Sequence, residues 1–202
     1  MSKAKRWLYS YEKESHDLLS LLANFIIDHL VEQIVAGAQL VQLFESHCAC
    51  LTPDLFQRFS LPYLSQIAQG VRAELSKRQL SSVPFILFAK DAHYALQELA
   101  LTGLFDVISL DWTITSASIQ SLRKENPSLV LQGNLDPCAL YSSKENLENH
   151  VREMLQVFGT SRYIANLGHG IYPDMSVENV QWFIDAVHRI SKEMIDSNSN
   201  KP

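Results

Sequence analysis

Five short apolar runs alternate with longer helical stretches along the 202-residue chain, and this pattern constrains the fold most. The runs are predicted strands at 40–44, 85–89, 107–110, 129–131 and 163–167. Continuous apolar strands that alternate with amphipathic helices are typical of a parallel sheet covered by helices. The sequence therefore predicts an α/β fold.

Helix start and stop signals lie between the runs. Helices are predicted at 3–10, 15–36, 52–80, 116–125 and 143–159, with a short one ending near 102 and a last one after 176. Ser15, Thr52 and Ser176 are the expected N-caps, and Pro53 fits the first turn of its helix. Gly37 and Gly159 stand where helices should stop.

Each predicted strand ends in a polar cluster, which is the layout of the active face of a (β/α)8 TIM barrel. A doubly wound sheet is the alternative, but no glycine-rich nucleotide motif follows any strand. Five βα units are too few to close a barrel, which needs about eight strands. We therefore predict one partial TIM-barrel domain over 1–196 that lacks about three N-terminal units, and a disordered tail over 197–202.

Composition narrows the class of protein. The formal net charge of −5 predicts no nucleic-acid partner. No uninterrupted apolar run approaches the roughly 20 residues of a membrane span, and the first residues lack the apolar core of a signal peptide. Three cysteines do not make a disulfide framework. We expect a cytosolic protein without a membrane partner.

Two strand-end motifs in the first half carry candidate site residues. In QLFESH (42–47), Phe44 could line an apolar cleft and Ser46 could bind a substrate, or they could be a core aromatic and a capping hydroxyl. In FAKDAH (88–93), Lys90 and Asp91 could form a catalytic pair, but a structural ion pair is the favoured interpretation.

In the second half, GHGIYPD (168–174) is the most specific local signal. His169 lies between two glycines, which let a backbone approach a ligand closely, and an exposed imidazole can move protons near neutral pH. Asp111 and Asp136 are weaker candidates, and Asp136-Pro137 also fits an ordinary turn. Cys48 and Cys50 beside His47 give poor tetrahedral spacing, so we predict no metal.

These motifs, above all LQGNLDPCALY and YIANLGHGIYPDM, resemble those of uroporphyrinogen decarboxylase from about residue 4 to 191. The resemblance implies removal of four acetate carboxyls from uroporphyrinogen to give coproporphyrinogen, in a cytosolic homodimer with no cofactor. It assigns substrate contacts to Ser46 and His169, a cleft-lining role to Phe44, and the catalytic role to His169.

The family's N-terminal arginine segment and its pyrrole-binding aspartate have no match, and Lys90 is the single cation in the strand-end clusters. A polyanionic substrate needs several cations, so this chain alone is expected to be inactive. Two alternatives remain open. One is a non-catalytic partial barrel with a binding or dimerisation role, and the other is a relative of corrinoid or thiol methyltransferases.

Overall fold

The computed structural model describes residues 2–199, which divide into two compact units between Val107 and Ile108. The first contains α1 (Ser2–Ser10), α2 (Glu12–Val35), β1 (Val41–Glu45), α3 (Pro53–Phe59), α4 (Leu61–Lys77), β2 (Phe85–Ala89) and α5 (Leu96–Leu101). Strand β3 (Val107–Ser109) spans the boundary. The second contains α6 (Ser116–Glu125), β4 (Val130–Leu135), α7 (Lys144–Phe158), β5 (Tyr163–Leu167) and α8 (Val177–Ser199).

Each unit holds a pair of parallel strands, which confirms the α/β prediction. In the first, β1 pairs with β2 from Val41 opposite Phe85 to Glu45 opposite Ala89. In the second, β4 pairs with β5 from Leu131 opposite Tyr163 to Leu135 opposite Leu167. Within each pair, the carboxyl ends of both strands lie at the same edge. The polar residues that follow the strands therefore collect at that edge.

The core of the first unit shows why β2 is a continuous apolar run. Phe85, Ile86, Leu87 and Phe88 are all buried, so both faces of this strand are covered. Helices α3 and α4 contribute further fully buried side chains, among them Leu55, Phe56 and Leu75. Burial of apolar area of this kind is the main stabilising term, at about 25 cal/mol per Å².

Two helix predictions are wrong in detail. Helix α2 begins at Glu12, and Ser15 lies inside it, buried, with its hydroxyl donating to the Tyr11 carbonyl oxygen at 2.7 Å. The predicted helix at 52–80 is two helices separated at Ser60. Pro62 explains the break, because proline has no N–H and its ring clashes with the carbonyl four residues earlier.

Most capping predictions are confirmed. The Thr52 hydroxyl accepts from the Leu55 N–H at 3.3 Å, with Pro53 in the first turn. The Ser176 hydroxyl accepts from the Glu178 N–H at 3.1 Å at the start of α8. Gly37 and Gly159 follow α2 and α7 with positive φ, which suits glycine.

The C-terminal prediction changes. Helix α8 runs to Ser199, so residues 197–199 of the predicted tail are helical, while 200–202 lie outside the described residues.

Helix α2 is long and apolar enough to cross a membrane by length and composition alone, unlike the expectation from the sequence. It packs against α4 and buries Ala23, Leu30 and Val31. Core helices of folded domains pass the same length and composition test.

Candidate active site

At the carboxyl end of β1, Glu45 holds the following turn in place. One carboxylate oxygen accepts from the His47 backbone N–H at 3.1 Å, and the other accepts from the Ser60 hydroxyl at 3.1 Å. The Glu45 backbone carbonyl accepts from the Lys90 N–H at 3.0 Å, which ties the ends of β1 and β2 together. Glu45 therefore acts as a framework residue that fixes the turn carrying Ser46.

Phe44 and Ser46 are exposed at this strand end. The Phe44 side chain is 63% exposed, and its ring lies edge-to-face on Phe88, with centroids 6.1 Å apart. Ser46 is also exposed, and within the part of the chain that the structure describes its hydroxyl makes no hydrogen bond. Phe44 is thus not a core residue, and Ser46 does not cap a helix. Both side chains are available to a ligand.

Lys90 and Asp91 form an ion pair after β2, as the structural interpretation predicted. Asp91 adopts a left-handed backbone conformation with φ 59°, which places its carboxylate back against the neighbouring lysine. Among residues 2–199, Lys90 is the only lysine or arginine that directly follows a strand, and Asp91 neutralises its charge.

Tyr94 was not singled out in the sequence. Its hydroxyl donates to the Cys48 carbonyl oxygen at 3.0 Å and closes the far side of the β1 turn. Burial of the phenol, with smaller contributions from Cys48 and Glu45, raises the pKa of Tyr94 to about 12. The phenol therefore stays protonated at neutral pH and serves as a donor.

In the second unit, Asp111 and Asn134 build a buried polar framework. The Asp111 carboxylate accepts from the Thr113 backbone N–H at 2.8 Å and from the Thr113 hydroxyl. The Asn134 side-chain amide donates to the Asp111 carbonyl oxygen at 2.9 Å and to the Ile114 carbonyl oxygen at 3.1 Å. These bonds fix the loop that follows β3 and carries Trp112.

Asp136 and Tyr141 organise the segment after β4. The Asp136 carboxylate accepts from the Cys138 N–H at 2.8 Å, so the turn interpretation is confirmed. The Tyr141 hydroxyl donates to Asp174 at 2.9 Å and links this segment to the loop after β5. That hydrogen bond, together with burial, raises the pKa of Tyr141 to about 12.

His169 lies exposed on the loop after β5. Its ring lies edge-to-face against Trp112, with centroids 6.0 Å apart, and Nδ1 is 3.4 Å from the Gly170 carbonyl oxygen. A Cβ on Gly168 would lie 2.4 Å from the Trp112 backbone nitrogen, whereas one on Gly170 would meet open space. Gly168 thus serves close packing of the protein's own backbone, which corrects the ligand-approach interpretation at that position.

The three cysteines are free thiols. Cys48 is buried, with its Sγ 3.7 Å from the Glu45 carbonyl oxygen, so it packs beneath the same turn that carries Ser46. Cys138 belongs to the other unit and is exposed.

The structure thus places Phe44 and Ser46 at the carboxyl end of β1 in the first unit, and His169 after β5 in the second.

Comparison with known proteins identifies the family. The family model described as uroporphyrinogen decarboxylase matches residues 1–190. Proteins named uroporphyrinogen decarboxylase from Danio rerio and Homo sapiens are each 50% identical to the chain, over 194 and 192 residues. The Dictyostelium discoideum protein of that name is 43% identical over 197 residues. These alignments cover 96%, 95% and 97% of the chain but 52% of each relative, so the chain spans about half their length.

Solved structures agree on the fold. A methyltransferase from Methanosarcina mazei matches with a TM-score of 0.73 and 20% identity, covering 92% of this chain and 52% of that one. A B12-independent methionine synthase from Shewanella sp. W3-18-1 matches with a TM-score of 0.65 and 11% identity, covering 89% and 55%. The architecture is the predicted α/β fold, five βα units of an incomplete TIM barrel, and the chain belongs to the uroporphyrinogen decarboxylase family.

Proposed function

We propose that this chain is the part of a uroporphyrinogen decarboxylase that carries His169, Ser46 and Phe44. The reaction removes four acetate carboxyls from uroporphyrinogen and gives coproporphyrinogen. The family match over residues 1–190 carries the proposal. The exposure of the three side chains at strand ends supports it. Asp111, which is more conspicuous in the sequence, is instead buried and hydrogen-bonded within the protein.

The chemistry needs no metal or organic cofactor. Protonation of a pyrrole ring makes it an electron sink for the adjacent acetate. The bond to the carboxyl carbon then breaks, CO₂ leaves, and its electron pair enters the ring. A proton is added to the remaining methylene carbon and the ring proton is lost, so each carboxylate is replaced by one hydrogen. Positioned donors and a matched acid–base group accelerate such steps.

Each proposed residue has a role that fits its surroundings. His169, held against Trp112, presents an exposed imidazole that can donate a hydrogen bond to a substrate carboxylate or pass a proton to the substrate. The Ser46 hydroxyl, on a turn fixed by Glu45, can donate to a substrate oxygen. Phe44, supported by Phe88, supplies an apolar surface for a pyrrole face.

The substrate's many carboxylates require cations, and in the described residues the strand-end lysine Lys90 is already neutralised by Asp91. The proposal therefore assigns the main cationic groups to the part of the relatives that this chain does not span. The proposal also includes the cytosolic homodimer that the resemblance implies. It expects coproporphyrinogen to form only when the remaining part of the relatives is present as well.

The same charge balance favours a second candidate, a non-catalytic partial barrel. A chain whose described residues place no unpaired cation at the carboxyl ends of the strands could bind a partner without turning over a polyanion. The two candidates differ in one result, which is whether this sequence supports decarboxylation once the remaining part of a family member is supplied.

A chimera tests the proposal. Residues 1–190 of this chain would replace the matching segment of the human relative, and the purified protein would be incubated anaerobically with uroporphyrinogen. We expect coproporphyrinogen well above a heat-killed control, because half of the aligned residues are identical. A chimera that folds, with a cooperative melt and sharp near-UV dichroism, but forms no product would contradict the proposal and favour the non-catalytic candidate.

A further inference from the structure

Five of the eight arginines form an ion pair with a carboxylate, and they are Arg58, Arg72, Arg78, Arg152 and Arg189. The exposed Arg6 on α1 forms none among the described residues. Arg123 and Arg162 form none with the residues that the structure describes, although the chain carries an excess of acidic groups.

Arg123 and Arg162 meet at the amino-terminal ends of β4 and β5. Arg123 lies in the last turn of α6, and Arg162 directly precedes β5. The Arg123 Nη2 donates to the Arg162 carbonyl oxygen at 3.3 Å, and the same oxygen accepts from the Leu131 N–H at 3.1 Å. Arg162 has a left-handed backbone with φ 51°, which is uncommon outside glycine.

The Arg123 guanidinium is left partly unsatisfied. Its Nε–H is covered by protein and has no hydrogen-bond partner within residues 2–199, which is exceptional for a buried donor. Burial of the group and the nearby Arg162 charge both lower the pKa of Arg123. The Arg123 guanidinium thus lies against the backbone of Arg162, and neither arginine has a carboxylate partner among the described residues, an arrangement that a bound anion would stabilise.

We propose that Arg123 and Arg162 form a binding site for a small oxyanion of the phosphate class. A guanidinium offers several N–H donors in a planar fork, which matches the tetrahedral oxygens of phosphate in a bidentate manner. Arg123 is only partly buried and Arg162 is exposed, so an ion from solvent can approach both arginines. A bound anion would offset the repulsion between the two positive charges.

The site is separate from the candidate active site in the same unit. Arg162 precedes β5 and His169 follows it, with five strand residues between them. At about 3.3 Å per residue, β5 separates the two by roughly 16 Å. The proposal therefore does not depend on the decarboxylase assignment, and its test measures binding and not turnover.

The test uses the 202-residue chain and inorganic phosphate, with sodium chloride adjusted to keep ionic strength constant. Thermal melts and the 31P linewidth of phosphate are measured for the wild type, R123Q, R162Q and the control R189Q, which removes an arginine paired with Glu148 and Glu193. We expect phosphate near ten times its dissociation constant to raise the wild-type melting midpoint by about 3–6 °C.

R189Q is expected to keep the rise in melting midpoint and the broadened 31P line. R123Q and R162Q are expected to lose both. Without phosphate, R123Q should melt no lower than the wild type, because the like-charge repulsion is gone. An equal rise with acetate or chloride, no 31P broadening with the wild type, or a full increment in both glutamine variants would overturn the proposal. If one glutamine variant fails to fold, the other still locates the site against R189Q, and absence of 31P broadening with the wild type overturns the proposal by itself.

Discussion

The carboxyl ends of β1 and β2 in the first unit, and those of β3, β4 and β5 in the second, use their charged side chains in the same way but expose different groups. In the first unit, Glu45 and the Lys90–Asp91 pair form contacts within the protein, and the Phe44 ring and the Ser46 hydroxyl remain exposed. In the second, Asp111 and Asp136 fix loops, and an imidazole remains exposed.

The difference assigns distinct tasks to the two ends. In the proposed function, the first supplies an apolar wall and a neutral donor, whereas the second supplies an exposed imidazole. The shared feature is equally informative, because the most conspicuous carboxylates at both ends are framework residues. Charge alone is a poor guide to which side chains meet a ligand here.

The largest expected effect concerns what both ends lack. Neither supplies an unpaired lysine or arginine from the described residues, so we expect the 202-residue chain alone to form no coproporphyrinogen from uroporphyrinogen. Loss of one positioned electrostatic group costs about 10²–10³ in rate, and a polyanionic substrate needs several. The assay compares product formation with a heat-killed sample, and clear turnover by the chain alone would show that the two ends suffice.

A second prediction concerns the two glycines that flank His169 in the second unit. Gly168→Ala places a methyl group 2.4 Å from the Trp112 nitrogen, so backbone must shift. We expect a loss of unfolding free energy of about 1–3 kcal/mol, as for other overpacked positions. Gly170→Ala is the matched control, since its Cβ meets nothing within 4 Å. Denaturant melts measure both, and equal stability of the two variants would refute the close packing at Gly168.

The fold was predictable from the sequence where one local pattern determines it. Strands β2 and β5 match their predicted bounds, and the β2 run is continuously apolar and ends at Lys90. The N-cap prediction at Ser15 was wrong because a serine hydroxyl can cap a helix, but inside a helix it can also donate to the carbonyl oxygen four residues earlier. The break at Ser60 had a local signal in Pro62, which the prediction did not use.

The site was less predictable because its contacts join distant residues. The Tyr141–Asp174 hydrogen bond spans 33 residues, and the Arg123–Arg162 contact spans 39. Neither leaves a periodic trace in the sequence. The approach of Gly168 to Trp112 is likewise a tertiary contact, so the glycine resembled a ligand-binding residue until the packing was known.

The smallest expected effect is at the first unit's exposed hydroxyl. In the chimera, Ser46→Ala removes one neutral hydrogen bond to substrate, so we expect KM to rise about 2- to 10-fold with little change in stability. Ser60→Ala is the contrasting control, because its hydroxyl is buried and bonded to Glu45, and it should lower stability first. Unchanged kinetics for Ser46→Ala would remove that residue from the site.

The account rests most directly on His169, the exposed imidazole of the second unit. The decisive measurement is the turnover of the chimera with His169→Ala, beside His188→Ala as an exposed histidine on α8 of the same unit. We predict that His169→Ala lowers turnover by about 10²–10⁴-fold with an unchanged near-UV spectrum and melt, and that His188→Ala does not. Equal turnover of the two variants would contradict the assignment of His169 as the residue that acts on the substrate.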